Sequence, residues 1–440
     1  FYIGGAKDQP GRLYLQLPNG SFRSVQEALF AEDKISEDTD ALFFDANGNG
    51  HPDLYVASGG SEFPSTALAL ADRLYLNDGK GNFRKSDQTL PGGRIENTSC
   101  VRAADFNGDG HLDLFVGVRL RPLLYGVPVN GYILQNDGKG NFANVTKDIA
   151  PDLLEIGMIT DAIWEDIDAD GDADLIVVGE WMPITVFRND GGQFVNITEV
   201  AGLANSHGWW SCIEAGDFNG DGRVDFVIGN HGLNSRFRAS PERPVRMYVN
   251  DFDRNGMVEQ IIGVHIGERM YPMALRHDLV SQMPGLKKRY LKYDSYKDQT
   301  IEDIFTPEQL SSAVQLNAYV LASSVLLNLG DGQFELQPLP IEAQFAPMYG
   351  IIAKDFDGDG HTDILSAGNF FGAKPEVGRY DACYGLWLRG QGQGRFTPVR
   401  ARASGFRIDG EIRDLVLLRQ RNRQLVLVAR NNDQMQMFEY

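Results

Sequence analysis

The chain has 440 residues, 42% of them hydrophobic, and a formal charge of −19. That composition can bury a large core and excludes an intrinsically disordered chain, while the acidity argues against nucleic acid or an anionic membrane as partner. No apolar run approaches the ~18 residues of a membrane helix, no signal-peptide pattern opens the chain, and Cys100, Cys212 and Cys383 are too few and too scattered for a disulfide framework.

The chain opens on Phe1 rather than Met, as expected of a processed or truncated product. Its first segments, Phe1-Tyr-Ile-Gly-Gly5, Arg12-Leu-Tyr-Leu-Gln16 and Ser21-Phe-Arg-Ser-Val25, read as three strands of a unit that lacks its first strand and loop. Then comes Asp45-Ala-Asn-Gly-Asn-Gly-His-Pro-Asp53, the first of six acidic, glycine-rich nonapeptides; the others span residues 105–113, 166–174, 217–225, 251–259 and 355–363. Oxygen-bearing side chains fall at positions 1, 3, 5 and 9 of each. They are Asp45, Asn47, Asn49 and Asp53; Asp105, Asn107, Asp109 and Asp113; Asp166, Asp168, Asp170 and Asp174; Asp217, Asn219, Asp221 and Asp225; Asp251, Asp253, Asn255 and Glu259; and Asp355, Asp357, Asp359 and Asp363.

Four hard oxygens aimed inward by a tight turn suit Ca2+. Glycines such as Gly358 and Gly360 let the backbone fold over the ion. Position 7 carries His51, His111, Asp172, Arg223, Met257 and His361, a variety that fits a backbone carbonyl ligand and makes the histidines bystanders. An EF-hand needs an acidic twelfth residue and a following helix. Position 12 here is Val56, Val116, Val177, Ile228, Ile262 or Ser366, inside strand-like runs, so that reading fails. Up to six structural Ca2+ ions are expected, and they explain most of the negative charge.

Between the loops a second element recurs at residues 74–83, 133–142, 186–194 and 326–334, each a hairpin turning on an Asp-Gly pair. The repeating unit is strand, calcium loop, strand, variable loop, strand, hairpin turn, strand. Four-stranded units of ~40–60 residues predict an all-β fold, a β-propeller of seven blades with eight as the alternative. The whole chain, 1–440, is expected to form one propeller domain closed by its two irregular ends. Residues 276–320 interrupt it with a helical insertion, marked by the capping sequence Thr306-Pro307-Glu308-Gln309 and a basic, tyrosine-rich stretch over 287–297.

The loops and the strands that follow them resemble FG-GAP or VCBS repeats of integrin-type calcium-binding propellers. Residues 41–45, 179–187, 232–237, 340–345 and 378–381 are more narrowly similar to the C-terminal half of large bacterial VCBS proteins with an ASPIC/UnbV domain, related to the cartilage acidic protein family. The resemblance implies export, often with attachment to the cell surface and the bacterial outer membrane, and upstream domains absent from this sequence. Departures at Asn47, Asn49, Asn107, Asn219, Asn255 and Glu259 make the first and fifth calcium sites the expected weakest.

Function is expected on the face opposite the calcium loops. Variable loops place Trp181, His231, Asn234, Arg236, Phe370, Arg379 and Tyr380 there, and the approaches to the first strands add Asp40, Arg102, Asp161, Trp209 and Trp210 near the channel mouth. Aromatic and arginine residues are what binding surfaces collect. The leading reading is a surface-exposed protein-binding module, a subunit of an outer-membrane complex. A glycan-binding protein of a carbohydrate uptake system is second, and a polysaccharide lyase or hydrolase built on Arg102, Asp161, Glu214 and His231 is third. No nucleophile elbow, zinc helix or phosphate loop is present, so the chain reads as a non-enzyme.

Overall fold

The computed structural model describes residues 1–420 and 423–440. The fold is all-β, with short helices, and its described strands form eight antiparallel sheets. Seven follow one another along the chain. The first has three strands, Tyr2–Ile3, Arg12–Gln16 and Phe22–Val25. The second runs Glu37–Phe44, Asp53–Gly59, Arg73–Asn77 and Phe83–Lys85; the third Thr98–Ala104, Asp113–Val118, Gly131–Asn136 and Phe142–Asn144; the fourth Met158–Glu165, Asp174–Met182, Thr185–Asn189 and Phe194–Asn196. The fifth is Cys212–Gly216, Asp225–Gly229, Ser324–Gly330 and Gln333–Pro338, the sixth Met348–Lys354, Asp363–Gly368, Leu386–Gly390 and Phe396–Val399. The seventh, again three-stranded, is Ile412–Gln420, Arg423–Arg430 and Gln436–Glu439.

The second strands are nearly continuous apolar runs, fully buried in Asp53–Gly59, Asp113–Val118, Asp225–Gly229 and Asp363–Gly368. A strand buried on both faces must have a sheet packed against each, and each sheet does stack on the next. Leu54 and Val56 meet the first sheet, while Tyr55 and Ala57 meet the third through Leu114 and Val116. Similar clusters join the third to the fourth, the fourth to the fifth, the fifth to the sixth and the sixth to the seventh. The first strands of the second to seventh sheets lie side by side in chain order. At the ends of the series, the Gln420 side-chain amide donates to the Gly20 carbonyl, so the seventh sheet meets the first. All three cysteines are free, with Cys100 and Cys212 buried as small core residues.

The eighth sheet is an excursion between two adjacent strands of the fifth. Its strands are ordered Arg269–Pro272, Glu259–Ile266, Val245–Asn250 and Val314–Ala318. The expectation of helix over 276–320 is therefore corrected. Helices occupy Arg276–Gln282, Ile301–Ile304 and Pro307–Ser312, and Thr306 with Gln309 does form the capping box, but Val314–Ala318 is a strand. Val314, Leu316 and Ala318 fit period two as well as a helical face, and pairing with Val249, Met247 and Val245 decides between them. The fifth acidic loop also belongs to this sheet, joining Val245–Asn250 to Glu259–Ile266, rather than to the series of seven.

Trp210, expected on the ligand face, is wholly buried between the fourth and fifth sheets, beside Ile184, Val186, Phe226 and Ile228, with its indole N–H on the Ser206 carbonyl at 2.9 Å. Trp210→Ala should lower stability by about 3–5 kcal/mol in denaturant titrations. A loss under about 1 kcal/mol would show that the side chain is not a core element.

Candidate metal loops and ligand face

The six loops share one hydrogen-bond pattern. The aspartate at position 1 accepts two loop N–H groups, as Asp45 does from Asn49 (3.1 Å) and Gly50 (2.7 Å), and Asp355 from Gly358 (2.7 Å) and Gly360 (2.9 Å). The position 5 side chain accepts the N–H of position 7, as at Asp170 and Asp359, both 2.9 Å. The carboxylate at position 9 reaches furthest. Asp174 takes the Ile167 N–H at 2.9 Å on one oxygen and the Asn189 N–H, at the end of the third strand, at 2.7 Å on the other. Asp53, Asp225 and Asp363 repeat this with Asn77, Asn328 and Gly390.

Three loops gather carboxylates whose oxygens all lie within 4.8 Å of one another: Asp166, Asp168 and Asp174; Asp251, Asp253 and Glu259; Asp355, Asp357 and Asp359. In two of the others a buried acceptor has no hydrogen-bond partner, Asn47 Oδ1 in the first loop and Asp113 Oδ2 in the second. Burial pushes Asp113 and Asp174 up to about 7 despite the N–H groups they accept. Crowded carboxylates, orphaned acceptors and a penalty on negative charge are what a hard divalent cation relieves, so these residues fit one. The fifth loop, expected to be among the weakest, also brings three carboxylates within 4.8 Å of one another.

Two features of the loops were not legible from spacing. Arg389 lies on the sixth loop, 2.6 Å from Asp357 and 3.0 Å from Asp359, and Arg223 pairs with Asp221 in the fourth. These guanidiniums sit where they would compete with a bound ion. The position 7 histidines pack on the hairpin turns: a Cβ at Gly79 or Gly138, both at positive φ, would fall 2.4 Å from His51 or His111.

The candidate ligand residues separate into three groups, the first midway along the first strands and the other two at the end of the strands away from the loops. Asp40, Arg102 and Asp161 tie first strands together. Arg102 pairs with Asp40 at 2.6 Å and with Asp161, and donates to the Ala162 carbonyl at 3.0 Å; Asp161 accepts the Ile213 N–H at 3.0 Å. One chain of contacts thus spans the second to the fifth sheet, and these polar groups are spent on structure. Beside it, Glu214 is raised to about 7 by burial and by the nearby Asp161.

Trp181 and Trp209 form the second group. Trp181 is buried and donates to the Tyr125 hydroxyl at 3.1 Å. Trp209 meets Trp181, His231 and Phe237 edge to face, with centroids 5.0, 5.0 and 4.8 Å away. Burial pushes His231 down to about 4, so its ring is neutral near pH 7, and it continues the stack to Tyr380 at 4.8 Å. These aromatics form a wall rather than exposed platforms. The third group opens to solvent: Asn234, Arg236, Arg379 and Tyr380 line a pocket of about 400 Å³, with Ser235, Glu376 and Asp381. Phe370 shapes its rim by exchanging backbone hydrogen bonds with Tyr380 at 2.8 and 2.9 Å.

Three measurements follow. Calcium should raise the melting temperature, each saturated site adding about 2–3 kcal/mol at a hundredfold excess over its Kd, and Asp174→Asn should remove one site from a calorimetric titration. An unchanged melting temperature in excess chelator, with metal loss confirmed, would defeat this. Glu214 binds its proton more tightly folded than unfolded, so its contribution to stability is present at acid pH and lost as pH rises from about 4.5 to about 7. In saturating calcium, Glu214→Gln should raise the melting temperature at pH 8 by roughly 1–4 °C and leave it unchanged at pH 4.

A family model for the FG-GAP-like repeat matches residues 45–116 and 166–228, the second-to-third and fourth-to-fifth sheet loops with the strands they serve. No curated protein matches the chain by sequence. Among solved structures, the V. cholerae biofilm matrix protein Bap1 is similar at 11% identity and a TM-score of 0.35, over 98% of this chain and 84% of that one. The Dos1 propeller is similar at 10% identity and 0.39, over 97% and 80%. The acidic loops, their hydrogen-bond pattern and the family match agree over these two stretches, and residues 45–116 and 166–228 are FG-GAP-like repeats.

Proposed function

We propose that the chain is an exported or cell-surface β-propeller of seven blades, made rigid by Ca2+ in up to six loops, that binds another protein at the bacterial cell envelope. The seven serial sheets support the blade count, with the excursion hung from the fifth blade. The acidic clusters and orphaned acceptors support the metal. Calcium then holds one end of the blades and leaves the other free for recognition. No helix among the described residues is long and apolar enough to cross a membrane.

The observation that carries the protein-binding reading is the exposed stretch 287–293 of the excursion. Leu291 is 73% exposed and Tyr293 53%, beside Lys287, Lys288 and Lys292, which make no ion pair among the described residues. Exposed Leu291 and Tyr293 with sequence-adjacent unpaired lysines, on a chain of −19, form a stretch of opposite sign to the net charge, suited to an acidic partner. We read the chain as a non-enzyme because Arg102 and Asp161 are engaged in inter-sheet ties and His231 is stacked among aromatic rings. A second reading, glycan binding, is favoured by the polar pocket at Asn234, Arg236, Arg379 and Tyr380.

Affinity capture from the source cell envelope tests the first reading, in about 2 mM calcium and again in chelator. One envelope protein should be retained with calcium and lost with Leu291→Asp or with Lys287→Glu and Lys288→Glu together. Equal retention by the parent chain and these variants would remove the excursion from the interface.

A further inference from the structure

Arg236 and Arg379 are exposed on the pocket, and among the described residues neither makes an ion pair or a hydrogen bond. The chain has 60 acidic and 41 basic side chains, yet these two arginines leave Glu376 and Asp381, in the same wall, unpaired with them. Each guanidinium is instead held over an aromatic ring, Arg379 over Phe371 at 4.8 Å and Arg236 over Phe237 at 5.7 Å. Stacking fixes the plane of a guanidinium and leaves its N–H edge free, the form in which arginine grips a carboxylate through two parallel hydrogen bonds.

The walls are set before any ligand arrives. Leu233 and Asn234 donate backbone N–H groups to the carbonyl of buried Gln344 at 2.9 and 3.1 Å, and the Asn234 amide donates to the Phe345 carbonyl at 3.0 Å. The facing loop is pinned by the Phe370–Tyr380 bridge and by the Asn369 amide, which donates to the Cys383 and Gly410 carbonyls at 2.7 Å each. Its far end is clamped to the excursion, Lys374 to Asp278 at 2.8 Å and Glu376 to His277 at 3.8 Å.

We propose that this pocket binds a carboxylated sugar, a uronic acid, through Arg236 and Arg379. The proposal rests on the glycan reading and names its ligand class. The two guanidiniums receive the carboxylate. Glu376 and Asp381 accept from ring hydroxyls, Ser235 offers a further polar contact, and the aromatic ring of Tyr380 faces the sugar. A volume of about 400 Å³ lies within the range of small-molecule sites. An acidic peptide side chain lacks the set of ring hydroxyls beside its carboxylate from which Glu376 and Asp381 accept, and a doubly charged phosphate meets these two carboxylates with twice the like charge of a uronate.

The test is calorimetric titration of the calcium-loaded chain with galacturonic and glucuronic acids, their methyl esters, glucose, and di- and trigalacturonate. The free acids should bind, with the esters and glucose at least tenfold weaker. Arg236→Gln or Arg379→Gln should weaken the acids at least tenfold with an unchanged melting temperature. Tighter binding of the oligomers than of the monomers assigns the ligand to a polysaccharide; equal binding assigns it to the free sugar acid, and either outcome supports the site. If acids and esters bind alike, the glycan reading stands and the carboxylate assignment falls. If no sugar binds the folded chain, both fall. Uronate binding indifferent to both arginine changes places the sugar on the metal loops, and inorganic sulfate or an acidic peptide that binds as well as the acids makes this a general anion site; each overturns the proposal.

Discussion

A buried carboxylate at the ninth position of each loop is the constraint on which the rest of this architecture depends. In Asp174 one oxygen holds the start of the loop through the Ile167 N–H and the other holds the end of the third strand through the Asn189 N–H, so one side chain fixes three strands of a sheet. Burying that charge is unfavourable, as the upward displacement of Asp113 and Asp174 records. A divalent ion bound in the loop, as proposed, would supply the compensating charge and couple metal binding to the sheet register.

The same asparagines carry the constraint from sheet to sheet. The side-chain amide of Asn136 donates to the Ala46 carbonyl, that of Asn189 to Phe106 and that of Asn328 to Ile167, each at 2.8 Å and each to the second residue of the preceding sheet's loop. The sixth sheet lacks the asparagine and substitutes the Gly394 N–H on the Phe218 carbonyl at 3.0 Å. Midway along the first strands, Asp40, Arg102 and Asp161 add a second linkage between the sheets. The stack is thus tied by hydrogen bonds at the acidic-loop end and by ion pairs midway along the first strands, while the second strands between the sheets are buried and largely apolar, a frame on which the remaining loops are free to differ.

How much of this could be read from residues alone depended on the range of the interaction. The loops were legible because their donors lie within nine residues, and the capping box at Thr306 because its partner is three residues on. Trp209 and Trp210 are neighbours in sequence, yet Trp209, at the end of the short strand Gly208–Trp209, lines the aromatic wall, while Trp210, just beyond it, is fully buried between the fourth and fifth sheets, a difference that sequence adjacency does not show. The role of Asp40, Arg102 and Asp161 escaped the sequence because their partners lie about sixty residues apart, and no local pattern marks a charge that will be consumed in a tie. Asn234, Arg236, Arg379 and Tyr380 were flagged separately; only the fold shows that two loops roughly 140 residues apart form one wall.

The excursion in the fifth sheet separates Asp225–Gly229 from its neighbour Ser324–Gly330 by roughly ninety residues, a long loop to close. Its own first and last strands are paired, Val245 opposite Ala318, so once that small sheet forms its two ends emerge side by side. The span still to be closed then shrinks to two short connectors, which lowers the closure entropy by about 1 kcal/mol. An appendage of this size therefore enters the stack much as an ordinary surface loop does, and its sequence is free to change without disturbing the register of the strands that carry it.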